Sequence, residues 1–186
     1  MASVFKKRGA ATVITVVVMI AATLAGVHFS VGRQSAKIEQ QFYDGVYLKK
    51  KGYTQTSIDS QLHQRVNAAT GLYSLALNYL NESDAAPLRD AYLALADAET
   101  IPEKSAANAS LTRAADDVWA RLQNAGMNER DADGASGYVY TMDAAQQVID
   151  SSAYNEAVTE YMTKTMGAFP VSLIRHIAFC NYPAYF

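Results

Sequence analysis

The first feature of the chain is an uninterrupted apolar run over residues 9–27, GAATVITVVVMIAATLAGV. Lys6, Lys7 and Arg8 precede it, and Arg33 and Lys37 follow it. A helix needs roughly 20 apolar residues to cross the hydrocarbon of a bilayer. In lipid it must also satisfy its own backbone hydrogen bonds, which an α-helix does. No polar face interrupts the run, so it does not read as the amphipathic helix of a soluble core. The pattern predicts a transmembrane anchor. The basic residues on its N-terminal side predict a cytoplasmic start and an extracytoplasmic C-terminal region. Two other readings compete. A cleaved signal peptide would use the small residues around Thr23-Leu24-Ala25, although the run is longer than the usual signal core. A prepilin-type leader would be cut near Gly9, although Thr12, Val13 and Ile14 stand where an early Glu is usual.

Beyond the run the period changes. Residues 33–41 read as a polar helical continuation, and Gly45, Gly52 and Lys49-Lys50-Lys51 mark a loop. The lysines fall short of the cluster of about four to eight that marks an anionic-lipid site, so they read as a solvated turn. With Thr56 as N-cap and Asp59 in the first turn, Ile58, Leu62, Val66, Ala69, Leu72, Tyr73, Ala76, Tyr79 and Leu80 trace one helical stripe. Asn81 to Asp84 end that helix and cap the next, where Pro87 is expected in the first turn. Leu88, Tyr92, Leu95 and Ala96 carry the pattern as far as Ile101-Pro102, which is expected to break it. A third helix is predicted over residues 105–123, with Leu111, Ala115, Val118 and Leu122 on one face and a cap at Asn124-Ala125-Gly126. Residues 128–137 read as a polar loop. A last long helix, 136–166, shows a rougher stripe through Tyr138, Met142, Ala145, Ile149, Ser152, Val158 and Tyr161. Gly167 and Pro170 close it, and a short helix at 171–178 and an aromatic tail follow. Strand signals are thin. The predicted class is all-α: an anchor over 1–32, a juxtamembrane extension and loop over 33–56, and an antiparallel bundle of three to four long helices over 57–186.

Composition agrees with that reading and narrows it. The 186 residues are 50% hydrophobic and 18% charged, which argues against a disordered chain. A net charge of -2 gives no sign of a nucleic-acid partner. The single cysteine, Cys180, excludes an internal disulfide and a cysteine-based zinc site.

Chemistry is sparse. His28, His63 and His176 are far apart and none has a HExxH-type partner, so each reads as a surface or interfacial residue rather than a ligand. Glu129, Asp131, Asp133 and Gly134 mimic the start of a calcium loop, but Tyr140 occupies the position that requires a bidentate Glu. Gly134-Ala135-Ser136-Gly137 has the wrong spacing for a nucleophile elbow. Cys180 sits among apolar residues without a nearby base. No cofactor is expected. The last eighteen residues hold Phe169, Phe179, Tyr182, Tyr185 and Phe186. These must cover the bundle, meet a partner or lie at a membrane interface, and packing on the bundle is the preferred reading.

Several segments resemble one known family. Tyr154-Asn155, then Tyr161, then Phe169-Pro170 and a final Tyr185-Phe186 are similar to the C-terminal signature of LemA-family proteins. Arg65 matches the Arg of the family's R-x-x-L-I-P-N-L stretch, with Ala69-Thr70-Gly71-Leu72 replacing the remainder. Asn108 and Leu111 match its Ala-Asn-x-x-Leu segment. Ser151 and Ser152 stand where an Arg is usual, and Met162 where an Asn is, so the chain is identified as a divergent member. The resemblance implies a membrane-anchored antiparallel bundle without catalytic residues, bound to a lipid bilayer and to a membrane-protein partner or to itself. The signature residues are then structural. Tyr154 and Tyr161 would share a helix face, Asn155 would bond a neighbouring helix or the tail backbone, and Phe169-Pro170 would turn the chain so that Tyr185 and Phe186 lie back on the bundle. Truncating Tyr154 or Phe169 to Ala would then cost a few kcal/mol. The competing functional readings are a pilus-like or secreted subunit and an enzyme with an unpatterned site.

Overall fold

In a computed structural model, residues 2–49, 52–169, 171–174, 177–178 and 180–186 are described. Lys50, Lys51, Pro170, His176 and Phe179, singled out above, lie outside them. The protein is an all-α helical bundle with one long N-terminal helix, α1, Ala2–Asp44. The bundle helices are α2 (Ile58–Ala76), α3 (Glu82–Asp97), α4 (Ile101–Gln123) and α5 (Glu129–Asp150). The shorter α6 (Tyr154–Tyr161) runs into a π-helical turn, Met162–Met166, and α7 is Val171–Ile174. The chain divides into two compact units. One comprises Met1–Glu39 and Glu156–Pro183, and the other Gln40–Asn155 and Ala184–Phe186.

In the first unit, the apolar stretch of α1 is long and apolar enough to cross a membrane. Its side chains Val13, Ile14 and Val17 to Ile20 are all exposed. From Leu24 onward the same helix has partners. Val31 packs in a small core with Tyr161, Met166, Ala178 and Cys180, and Leu24, Val27, Ile38, Met162 and Val171 border it. The Tyr161 hydroxyl donates to the Val31 carbonyl at 2.9 Å.

In the second unit α2 to α5 alternate in direction. The start of α2 lies near the end of α5, where Gln55 Nε2 donates to the Ser151 carbonyl at 3.0 Å. Beyond its other end, Tyr79 donates to Asp131, at the start of α5, at 2.5 Å. Asp84, early in α3, meets Arg121, late in α4, at 3.0 Å. Asp59 in α2 meets Lys104 in α4 at 2.8 Å, start against start. This is an up-down-up-down bundle joined by short connections. Its core follows heptad-like steps, with Ile101, Asn108, Ala115 and Leu122 along α4 and Ile58, Leu62, Arg65, Ala69, Leu72 and Ala76 along α2. The buried line on α2 therefore passes through Arg65, and Val66 is only half-buried.

Several local expectations are corrected. The stretch expected as a loop after α1 contains a short hairpin, β1 (Val46–Leu48) paired antiparallel with β2 (Tyr53–Gln55). Three-residue strands are too brief to show alternation. The N-cap of α2 is Ser57, not Thr56, and its side chain accepts from the Ser60 N–H at 3.1 Å. Pro87 sits in the sixth position of α3, beyond the first turn, where it removes a single bond to the Ser83 carbonyl. Ile101-Pro102 opens a helix as well as ending one. Thr100 and Glu103 form a reciprocal capping box, Pro102 occupies the first turn, and α4 begins four residues earlier than expected. That box holds the Glu103 carboxyl below its ordinary pKa, through hydrogen bonds from the Thr100 backbone. Residues 129–137, expected as a polar loop, are the first turns of α5. Asn128 caps them by accepting from the Asp131 N–H at 2.9 Å. Their polarity suits a solvated helix start, and Glu129 and Asp131 face the positive end of the dipole.

Gly45, between α1 and β1, has φ +88°, and a Cβ there would lie 2.1 Å from the Gln55 carbonyl oxygen. Gly52 has φ +73° with open space around it. Gly52→Ala should cost roughly 1–2 kcal/mol, the ordinary penalty of the left-handed region. Gly45→Ala should cost more, because a backbone atom must also move. Thermal melts that rank the two in the opposite order would show that the approach at Gly45 is not tight.

Candidate functional site

The buried polar groups of the second unit converge on Arg65. Its guanidinium is 2% exposed, in mid-bundle on α2. One terminal nitrogen donates to Asn108 Oδ1 at 2.7 Å and also to Gln146 Oε1. The other donates to Thr112 Oγ1 at 2.7 Å. Asn108 in turn donates to Gln146 Oε1 at 2.9 Å, and Gln146 Nε2 donates to Asp150 at 2.7 Å. One side chain thus ties α2 to α4 and α5. Its Nε–H is buried without a partner among the described residues. Among the described residues no carboxylate bonds the guanidinium. The charges of Asp143, Asp150 and Asp116 raise its pKa, and burial outweighs them and lowers it. An arginine stays charged regardless. The centre is therefore a charge solvated by amides and one hydroxyl, with Gln146 relaying the influence of Asp150.

A second cluster of the same unit lies where α6 begins. Tyr154 is fully buried, its ring stands edge-on to Phe42 at 5.7 Å, and its hydroxyl donates to the Ala184 carbonyl at 2.6 Å. Phe42 also meets Phe186 at 5.4 Å. Asn155 takes Phe186 in a two-way amide clasp. Its Nδ2 donates to the Phe186 carbonyl at 2.9 Å, and its Oδ1 accepts from the Phe186 N–H at 3.1 Å. Gln55 reinforces the same corner, with Oε1 accepting from the Ala153 N–H at 3.2 Å.

Arg65 and Asn108 are thus brought together, as are Tyr154, Asn155 and Phe186. Tyr185 is exposed, with its neighbour Ala184 holding the contact to Tyr154. Tyr161 belongs to the core of the first unit. Phe169 is 81% exposed, which overturns the expectation that it packs on the bundle. The physical reason is that the helix ends before it. The π-helical turn stops at Met166, Gly167 caps it, and Met166 fills the buried position instead.

Thr112, Gln146, Phe42 and Gln55 escaped the sequence reading. Thr112 lies four residues after Asn108 and so on the same helix face, which was a usable signal. Phe42 is a large apolar residue directly after the polar pair Gln40-Gln41, which was a usable signal. Gln146 and Gln55 carried no local signal.

The chemistry available is narrow. Among the described residues no three His, Cys, Asp or Glu side chains group to hold a metal. The His63–Asp59 pair, at 3.4 Å, is the contact of an exposed imidazole with its helical neighbour, and Asp59 also binds Lys104. Two open surface depressions, of about 450 and 470 Å³, lie along α3 and α4. One is lined by Pro87, Arg113 and Asp117 and the other by Asp97, Glu99 and Glu103. No protein-family model matches the chain, and no match is found among curated proteins or among solved structures.

Arg65→Ala leaves a cavity in the bundle and strands the acceptors on Asn108, Thr112 and Gln146, so it should cost about 3–5 kcal/mol. Asn108→Ala in that background should add much less than in the wild type. A double-mutant cycle with additive losses would show that the two residues do not act together. At the second cluster, Tyr154→Phe removes one hydrogen bond and should cost about 1 kcal/mol, and Tyr154→Ala about 3–5 kcal/mol. Phe169→Ala should stay within about 0.5 kcal/mol, as for an ordinary surface site. Chemical denaturation of the five single variants and the double variant measures all of these.

Proposed function

We propose that the protein is a membrane-anchored, non-catalytic helical bundle of the LemA type, a scaffold or sensor component that binds a membrane-protein partner or a second copy of itself. The observation that carries this reading is the convergence of residues that the resemblance singled out in widely separated segments. Arg65 with Asn108, and Tyr154 and Asn155 with Phe186, form the two polar ties of the bundle unit. Supporting it, the apolar helix near the N-terminus has the length and hydropathy of a bilayer span, and Val13, Ile14 and Val17 to Ile20 on it are exposed. The polar centre has the composition of a structural tie. It contains a permanent cation, two amides and a hydroxyl, and none of these is paired as nucleophile with base. In the proposed topology the N-terminus is cytoplasmic and the bundle extracytoplasmic, following the basic residues ahead of the span.

Two measurements test this reading. Native protein should resist extraction from membranes by alkaline carbonate and keep its unprocessed mass. Loss of about eight residues would point instead to a prepilin-type subunit, and loss of about 25 to a secreted protein. A reporter enzyme that is active only outside the cytoplasm, fused after Phe186, should be active. An inactive reporter on a stable fusion would reverse the topology.

A further inference from the structure

We propose that the segment around α7 is a second lipid contact, lying at the boundary between hydrocarbon and head groups beside the anchor. This rests on the anchoring proposed above and extends it to residues far away in sequence.

A helix rises about 1.5 Å per residue, so residues 9–27 span roughly 28 Å, close to the hydrocarbon thickness of about 30 Å. With that run in the membrane, Val27 marks the edge, and Leu24 lies about 4.5 Å inside it. Within the first unit, Leu24 and Val27 border the cluster formed by Val31, Tyr161, Met166, Ala178 and Cys180, and Val171 packs there too. The α7 segment is thereby held to α1 at the level where the span ends. A hydrogen bond fixes the same level, with His28 Nδ1 lying 2.8 Å from the Ala178 carbonyl.

Among the described residues, several large apolar side chains of this unit are exposed. Phe169 is 81% exposed, Leu173 67% and Ile177 62%, and Phe29 on α1 is 66% exposed. Four large apolar side chains left in water on one small unit would be a liability, whereas at the acyl boundary they are in their preferred solvent. Arg33 and Lys37, exposed on α1 within the next turns, are placed for the head-group layer. The occupant is identified by this continuity with the anchor. Any surface held to Leu24 and Val27 meets lipid before it meets a soluble partner.

The test uses the full chain in liposomes. In a Cys180→Ala background, single cysteines replace Leu173, Val18 and Arg113 and carry an environment-sensitive fluorophore. Nitroxide quenchers are placed either shallow or deep on the lipid chains. The label at Leu173 should be blue-shifted and lose more fluorescence to the shallow quencher. That at Val18 should lose more to the deep one, and that at Arg113 to neither. A quenched Val18 label beside an unquenched Leu173 label would overturn the second contact and leave the anchor standing. An unquenched Val18 label would remove the anchor, and the second contact with it. In nanodiscs holding one copy each, a Leu173 blue shift that disappears would assign this face to a second copy and likewise overturn the proposal.

Discussion

A guanidinium held among helices with no carboxylate against it constrains the bundle more than any apolar contact does. Leu or Ile in a core can slide by part of a turn and repack, and the loss is gradual. Arg65 cannot, because its planar fork has to meet Asn108 and Thr112 on α4 and Gln146 on α5 at once. Shifting any one helix would strand a buried cation and several buried acceptors together, each of which is costly to leave unmet. The heptad-like apolar lines on α2 and α4 supply most of the burial. The polar centre selects one register for them.

The ends of the bundle are secured by different means. At one end, Tyr79 and Asn128 converge on Asp131, which closes the turn between α4 and α5 against the exit of α2. At the other, Gln55 and Asn155 use side-chain amides as substitute backbone, each both donating and accepting. Such contacts tie the bundle at both ends as well as at its middle. Surface ion pairs such as Arg121 with Asp84 and Asp117 add little to this, since exposed pairs are worth well under about 1 kcal/mol.

Much of the fold was legible in the sequence because the helical period is a strong signal over long segments. The apolar run, the continuation of α1 past it, the stripes of α2 and α4 and the Gly126 cap can all be read directly. The errors cluster where polarity and turn residues compete with that signal. Asn128 to Gly137 is polar because it is a solvated first turn, and polarity alone does not separate that from a loop. Ile101-Pro102 looked like a stop because a proline both ends and begins helices, and only the Thr100–Glu103 pair distinguishes the two. The candidate site was half visible. Arg65 and Asn108 came forward through a resemblance, and nothing local linked them. Gln146 and Gln55 acquire their roles only through the tertiary fold. Phe169 misled because an aromatic near a chain end was read as cover for a core, when the π-helical turn hands that task to Met166.

The clasp between Asn155 and Phe186 also bears on how this chain can vary. The bundle unit releases the chain after Asn155 and regains it at Ala184, and the two points are tied to each other by direct hydrogen bonds. Residues 156–183 are therefore a closed excursion with a common root. In polymer terms, the entropy of closing such a ring grows only logarithmically with its contour, by about 0.6 kcal/mol per doubling. Insertions at exposed points of the excursion would barely register in the folding equilibrium of the bundle unit, whereas any that displaced Tyr161, Met166 or Cys180 would open the core these residues form around Val31.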